Sequence, residues 1–177
     1  MNFELPTVYL GLGSNLGDRE RNLSVALRRL EPLVRIEAVS SLYETDPVGQ
    51  QDQPVYLNAV CRGVTGLPPR GLLRHLKEVE RELGRRDSTR WGPRPIDIDL
   101  LLYGEAVVEE VDLRVPHPEM PSRAFVLVPL AELAPEVRYP VLGRTVSSLA
   151  GEVARSGVRL RAEPGWEKSW PRLSAAG

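Results

Sequence analysis

The sequence lacks several things, and each absence narrows what the chain can be. It has one cysteine, Cys61, which rules out an internal disulfide and suits a reducing compartment. Cys61 falls in an apolar, strand-like run, where a thiol behaves as a small buried hydrophobe. Lysine is almost missing: Lys77 and Lys168 are the only two. Any phosphate site must therefore draw on arginine guanidinium groups and backbone amides. The histidines are His75, inside a helical pattern and read as surface, and His117, between two prolines and read as placed. No apolar run approaches the ~18 residues of a membrane span, and no secretory signal opens the sequence. A cytoplasmic protein without a membrane partner is expected. The net charge of −1 gives no general attraction for nucleic acid, and no strand carries the aromatic pattern of an RNA-binding sheet. There is no internal repeat and no interdomain linker. At 177 residues, 42% hydrophobic and 27% charged, the chain is read as one catalytic domain over 1–162. Residues 163–177 are read as a flexible tail, with Trp166 and Trp170 as its candidate anchors.

What is present centres on residues 90–104. Residues 90–95 are rigid and cationic, with two prolines, a glycine and two arginines around Trp91. A strand then follows, because Ile96, Ile98 and Leu100 alternate with Asp97 and Asp99. Period two puts both aspartates on one face, roughly 6.5–7 Å apart. An isolated Asp-x-Asp also describes the wet face of a half-buried sheet. Aspartate is disfavoured in strands, however, and two here follow an arginine-rich turn directly. Carboxylate for Mg²⁺ and guanidinium for phosphate is the chemistry of nucleotide phosphoryl transfer, and two ions ~3.5–4 Å apart could share such a pair.

The chain around this stretch reads as follows. Residues 8–13 are a first strand ending in glycines. Gly11, Gly13 and Gly17 miss the dinucleotide-binding spacing by one residue, and no Gly-Lys-Ser/Thr follows. Residues 19–33 form an amphipathic helix that Asp18 or Ser14 caps. Residues 34–43 and 55–64 are strands, joined by a polar loop over 44–54. On the second of them, Tyr56 and Asn58 share a face. A second helix runs from about Arg70 to a stop at Gly84, with Glu80 intruding on its apolar side. Short extended pieces at 107–108 and 113–115 follow. The third helix, 123–133, starts with Arg123, a cation where the macrodipole favours an anion, so Arg123 is expected to face one. A last helix over 145–154 and an edge strand over 157–161 complete the chain. The expected fold class is α+β: a ferredoxin-like β-α-β-β-α-β core, with an antiparallel sheet, helices on one face, and additional C-terminal helices.

Four stretches then stand in one order: Gly13-Ser14-Asn15-Leu16-Gly17, Asp52-Gln53-Pro54-Val55-Tyr56-Leu57-Asn58, Arg90-Trp91-Gly92-Pro93-Arg94-Pro95-Ile96-Asp97-Ile98-Asp99, and Val115-Pro116-His117-Pro118. Together, over about residues 8–140, they closely resemble the 6-hydroxymethyl-7,8-dihydropterin pyrophosphokinase family of folate biosynthesis. The resemblance implies transfer of the β,γ-diphosphate of ATP to the pterin hydroxymethyl oxygen, with release of AMP, by a monomer with two Mg²⁺ ions. It assigns Asp97 and Asp99 to the metals. Thr45, Val48, Tyr56, Asn58, Trp91 and Phe125 go to the pterin pocket. Arg85 and Arg94 go to catalysis at the phosphates. Lys77, Glu80, Ile98, His117 and Arg123 join those two arginines around ATP. The physical reading agrees, since a flat heterocycle asks for aromatic faces and a few amide partners.

This sequence departs from the family pattern in places. Gly84-Arg85-Arg86-Asp87 stands for a Gly-Arg-x-Arg run, Thr45-Asp46-Pro47 for a Thr-Pro-Pro-like run, and Pro118 follows the histidine where an aromatic can stand. Two other readings share parts of this site. A nucleotide transferase acting on another heterocycle would keep the metal pair, and an inactive ligand-binding module would bind nucleotide without releasing AMP. A glycosidase does not fit, because both acids lie on one strand beside arginines.

Overall fold

In the computed structural model, residues 4–49, 52–86 and 92–169 are described. In chain order, the first half comprises β1 (Thr7–Ser14), α1 (Arg19–Leu30), β2 (Arg35–Val39), β3 (Leu42–Thr45), β4 (Tyr56–Val64), α2 (Pro69–Glu82) and β5 (Asp97–Tyr103). The second half comprises β6 (Val108–Glu109), β7 (Arg114–Val115), α3 (Ala124–Leu133), β8 (Arg138–Tyr139), β9 (Arg144–Thr145), α4 (Val146–Glu152) and β10 (Val158–Ala162).

The main sheet has the order β10-β3-β4-β1-β5, with β2 also pairing with β4, and every pairing is antiparallel. The long strand expected over 34–43 is two strands. At the break, the Ser40 hydroxyl accepts from the Val60 N–H at 2.9 Å, and the Ser40 N–H donates to the Val60 carbonyl. A side chain here replaces one rung of the ladder, so the strand kinks without glycine or proline. The helix ends lie close to their sequence signals. Asp18, and not Ser14, caps α1, accepting from the Arg21 N–H; Thr145 caps α4, and Pro69 opens α2.

The expectation of helices on one face is corrected by the packing. On one face, α1 and α2 close over Leu10, Leu12, Ile98 and Leu100. On the other, α3 and α4 close over Tyr9, Val60, Leu101 and Leu102. The sheet is therefore covered on both sides. This explains why the alternation of β5 stops after Asp99 and becomes the run Leu100-Leu101-Leu102, buried throughout. Each fully buried leucine contributes about 1.5–3 kcal/mol over an exposed one. The acids are thus confined to the one end of β5 that the helices leave open.

Residues 163–169 continue the packed body. Trp166 is 5% exposed, lies in the core beneath α1, and donates from Nε1 to the Ser40 carbonyl at 3.0 Å. The Ser24 hydroxyl donates to the Glu167 carbonyl at 2.8 Å. Trp170, the other candidate anchor, lies outside the described residues. Among the described residues, no helix is long and apolar enough to cross a membrane.

Replacing Trp166 removes a large buried ring and its hydrogen bond together. Trp166→Ala is expected to lower unfolding free energy by about 3–5 kcal/mol, read from urea denaturation. Val111→Ala, at a fully exposed site, should stay within about 0.5 kcal/mol.

Candidate active site

β1 lies between β4 and β5, and its glycines face the acids directly: Gly11 is paired with Asp99 and Gly13 with Asp97. On the other side, Gly13 is paired with Asn58 of β4. A Cβ at position 13 would stand 2.7 Å from Asn58 Oδ1, so a side chain there would displace the amide. The glycines therefore do more than turn the chain. They leave a floor of bare backbone between an acid strand and an amide strand.

Above that floor is a cavity of about 160 Å³. Its lining includes Thr45, Val48, Tyr56, Asn58 and Phe125. Asn58 Nδ2 donates to the Thr45 hydroxyl at 2.6 Å, which fixes the orientation of the amide. Arg94, Asp97, Asp99 and Arg123 line the same cavity. Trp91, assigned with the first group from sequence, lies outside the described residues.

The acids are held in a lattice of cations. Arg85 Nη1 lies 2.6 Å from Asp97 Oδ1 and 2.7 Å from Glu80 Oε1, and Arg94 Nη1 lies 3.6 Å from Asp97 Oδ2. Arg123 lies 3.8 Å from Asp99 and also pairs with Glu119, and its guanidinium sits 5.5 Å from the centre of the Phe125 ring. The anion that Arg123 was expected to face is thus Asp99 together with Glu119. Burial, and next the charge of Asp97, push the Asp99 carboxyl up to about 7, against the pull of Arg123 and Lys77.

Lys77, Glu80 and Arg85 stand at the α2 side of β5, behind the acids. Glu80 is 2% exposed and accepts from the Ile98 N–H at 2.8 Å, from Lys77 at 3.2 Å, and from Arg85. Burial pushes its carboxyl up, and those three donors oppose the shift. The salt bridge expected of Glu80 is present, and the same carboxylate also ties α2 to the backbone amide of Ile98, the residue between the two aspartates. The Ile98 side chain is in the core, so it shapes the strand without lining the cavity. His117 Nδ1 accepts from the Glu119 N–H at 3.2 Å, and the Tyr139 hydroxyl donates to the His117 carbonyl. Burial, then Arg123, hold the His117 pKa below its usual value. The ring is therefore neutral at physiological pH, with its proton assigned to Nε2.

Asn15, inside the Gly13–Gly17 motif, has a role that the resemblance does not imply. It is 1% exposed and joins three loops. Its Oδ1 accepts from the Arg94 N–H at 2.7 Å, and its own N–H donates to the Arg94 carbonyl at 3.1 Å. Its Nδ2 donates to Gln53 Oε1 at 3.2 Å and to the Pro54 carbonyl at 3.4 Å. Arg19 adds a second tie, from α1 to the Val55 carbonyl at 2.8 Å. The only local signal was a polar amide at the buried end of a strand; its partners are 38 to 79 residues away.

A pair of acids among guanidinium groups, next to a slot lined with rings and an amide, is the layout of an enzyme that moves a phosphate-type group onto a flat polar ring. The comparisons make this specific. The sequence model of the 7,8-dihydro-6-hydroxymethylpterin-pyrophosphokinase family matches residues 9–135. Two curated relatives carry the name 2-amino-4-hydroxy-6-hydroxymethyldihydropteridine pyrophosphokinase. One, from Aquifex aeolicus, is 42% identical over 148 residues, covering 84% of this chain and 92% of the relative. The other, from Pseudomonas aeruginosa, is 47% identical over 135 residues, covering 75% and 83%. The chain belongs to this family. Among solved structures, a wild-type Plasmodium falciparum HPPK-DHPS chain superposes with a TM-score of 0.69 at 17% identity. That match covers 84% of this chain and 43% of the longer one, so this chain spans less than half of that protein, and the likeness is one of fold.

Asn15→Ala leaves the Arg94 amide without its side-chain acceptor. It is expected to speed hydrogen exchange at Arg94 and around Gln53, and to cost about 1–3 kcal/mol of stability. Unchanged exchange at both places would show that the three loops are held by something else.

Proposed function

We propose that this chain performs the reaction of its family, transferring the β,γ-diphosphate of ATP to the hydroxymethyl oxygen of 6-hydroxymethyl-7,8-dihydropterin, with Asp97 and Asp99 as the ligands of two Mg²⁺ ions. The observation that carries the reading is the single cavity onto which both acids, two arginines and the ring-and-amide wall all open. The strand order, with β1 between β4 and β5, supports the ferredoxin-like description of the core.

The donor set fits Mg²⁺. Among the described residues, no group of three or more acids, histidines or cysteines gathers to form an all-protein metal cage. Two carboxylates at the edge of a phosphate site suit an ion that shares its coordination between protein and substrate oxygens. Bound there, the ions would lower the pKa of the attacking hydroxyl and neutralise charge between the phosphates.

The remaining work falls to this chain's side chains. Tyr56 and Phe125 offer ring faces to the heterocycle, and Thr45 and Asn58 offer polar partners already locked to one another. Arg94 and Arg123 line the phosphate end of the cavity. Arg85, just past the end of α2, does not line the cavity; it acts from behind Asp97, to which it is paired, and is aimed by Glu80. Each of these guanidinium groups is paired with a site acid, and the phosphates of ATP replace those acids as partners. The arginines then stabilise the charge that builds on the oxygen bridging to AMP. His117, neutral and protonated at Nε2, supplies a hydrogen-bond donor without adding charge. Catalysis is by positioning and electrostatics, and no general base is assigned.

Incubation with ATP, 6-hydroxymethyl-7,8-dihydropterin and Mg²⁺, resolved by chromatography, is expected to give equimolar AMP and pterin diphosphate, and nothing when the metal is chelated. Asp97→Asn and Asp99→Asn should each lower kcat at least roughly a hundredfold, with the melting temperature retained. ADP with a pterin monophosphate would overturn the reaction assigned, and near-normal turnover in either variant would overturn the metal ligands.

A further inference from the structure

One wall of the cavity is tied to a part of the chain that lies beyond the residues matched by the family model. β10 is an edge strand paired with β3 through Val158–Thr45, Arg159–Glu44 and Leu160–Tyr43. Two more ties leave the start of this strand for the turn that follows β3. The Asp46 N–H donates to the Gly157 carbonyl at 2.9 Å. Arg159 Nη2 lies 2.9 Å from Asp46 Oδ1 and 3.5 Å from Glu44 Oε1. Asp46, Pro47 and Val48 then form cavity wall, directly after Thr45.

β10 is itself anchored beyond its far end. A few residues on, Trp166 is buried and bonded to Ser40, and Glu167 is bonded to Ser24. Gly157 has φ +80°, a backbone conformation that side chains rarely adopt. A Cβ there would meet Asp46 Oδ2 at 2.7 Å. Position 157 therefore needs both the left-handed backbone and the missing side chain for the Asp46 carboxylate to sit where Arg159 meets it.

We propose that Arg159 is a positioning residue for the heterocycle end of the site. With the Gly157 carbonyl, it holds the 45–48 turn in the shape that receives the pterin. This rests on the pterin assignment made above. A lone exposed ion pair contributes little to stability. Here it acts on the same turn as a backbone hydrogen bond and the end of a strand pairing, so its effect falls on how often the turn holds the receiving shape. A ligand's apparent affinity scales with that population.

Steady-state kinetics on the full chain separates this role from a general one. Arg159→Ala is expected to raise KM for 6-hydroxymethyl-7,8-dihydropterin roughly two- to five-fold. Gly157→Ala, which strains the backbone as well, should raise it roughly ten-fold. In both, kcat and KM for ATP should hold, the Asp46 amide should exchange faster, and Arg159→Lys should recover part of the loss. Pterin KM unchanged in both alanine variants, or ATP and pterin weakened alike, would overturn the proposal. A wild-type chain that released no AMP would count against the pterin assignment itself, whereas an active chain with unaltered pterin KM in the variants counts against Arg159 alone.

Discussion

The mutual repulsion of Asp97 and Asp99 is the constraint on which the rest of the structure depends. Two carboxylates roughly 6.5–7 Å apart repel by about 2–3 kcal/mol at an effective dielectric of about 20, and more as water is excluded. The protein offsets this with guanidinium groups from three directions. Arg85 comes from the end of α2, Arg94 from the turn before β5, and Arg123 from the N-terminus of α3. These elements lie on different sides of the sheet, so the sheet must be covered on both faces for all three to arrive. The two-sided core is in this sense a condition of the site. Glu80 extends the same logic inward, as a buried acid that keeps Arg85 aimed and holds the strand amide between the two aspartates.

Much of this was legible because it is local. The alternation of aspartate with isoleucine put both acids on one face. Arg123 at a helix start announced an anion, and Asp99 and Glu119 are there. The helix stripes, and the polar pair Tyr56 and Asn58, were equally readable. What was not legible depended on distance or on a rung made by a side chain. Nothing near Ser40 warns of a break, since its hydroxyl stands in for a backbone partner twenty residues on. The run Leu100-Leu101-Leu102 shows that both faces of β5 are buried only once α3 is known to lie across it. Asn15 looks like any turn amide until its partners arrive from two other loops.

The site and the scaffold divide the sequence between them. A chain 17% identical keeps the fold with a TM-score of 0.69, because a covered antiparallel sheet asks only for apolar residues of about the right size at the right period. The site asks for much more, namely particular acids, amides and guanidinium groups at fixed positions. Asn15 belongs with the site in this respect although it faces no cavity. An amide is needed because both its donor and its acceptor are used, and neither an aspartate nor a leucine supplies both.

The floor between Gly11 and Gly13 bears on inhibition. A compound that gained its affinity from the walls would meet Val48 or Phe125, side chains that a single base change can enlarge or trim. A compound resting on the floor meets main chain. At Gly13, any larger residue would push out Asn58, the amide proposed above to meet the heterocycle. On that proposal, escape by mutation at this point would damage the enzyme's own substrate binding, which makes the bare backbone of β1 the durable part of the cavity to target.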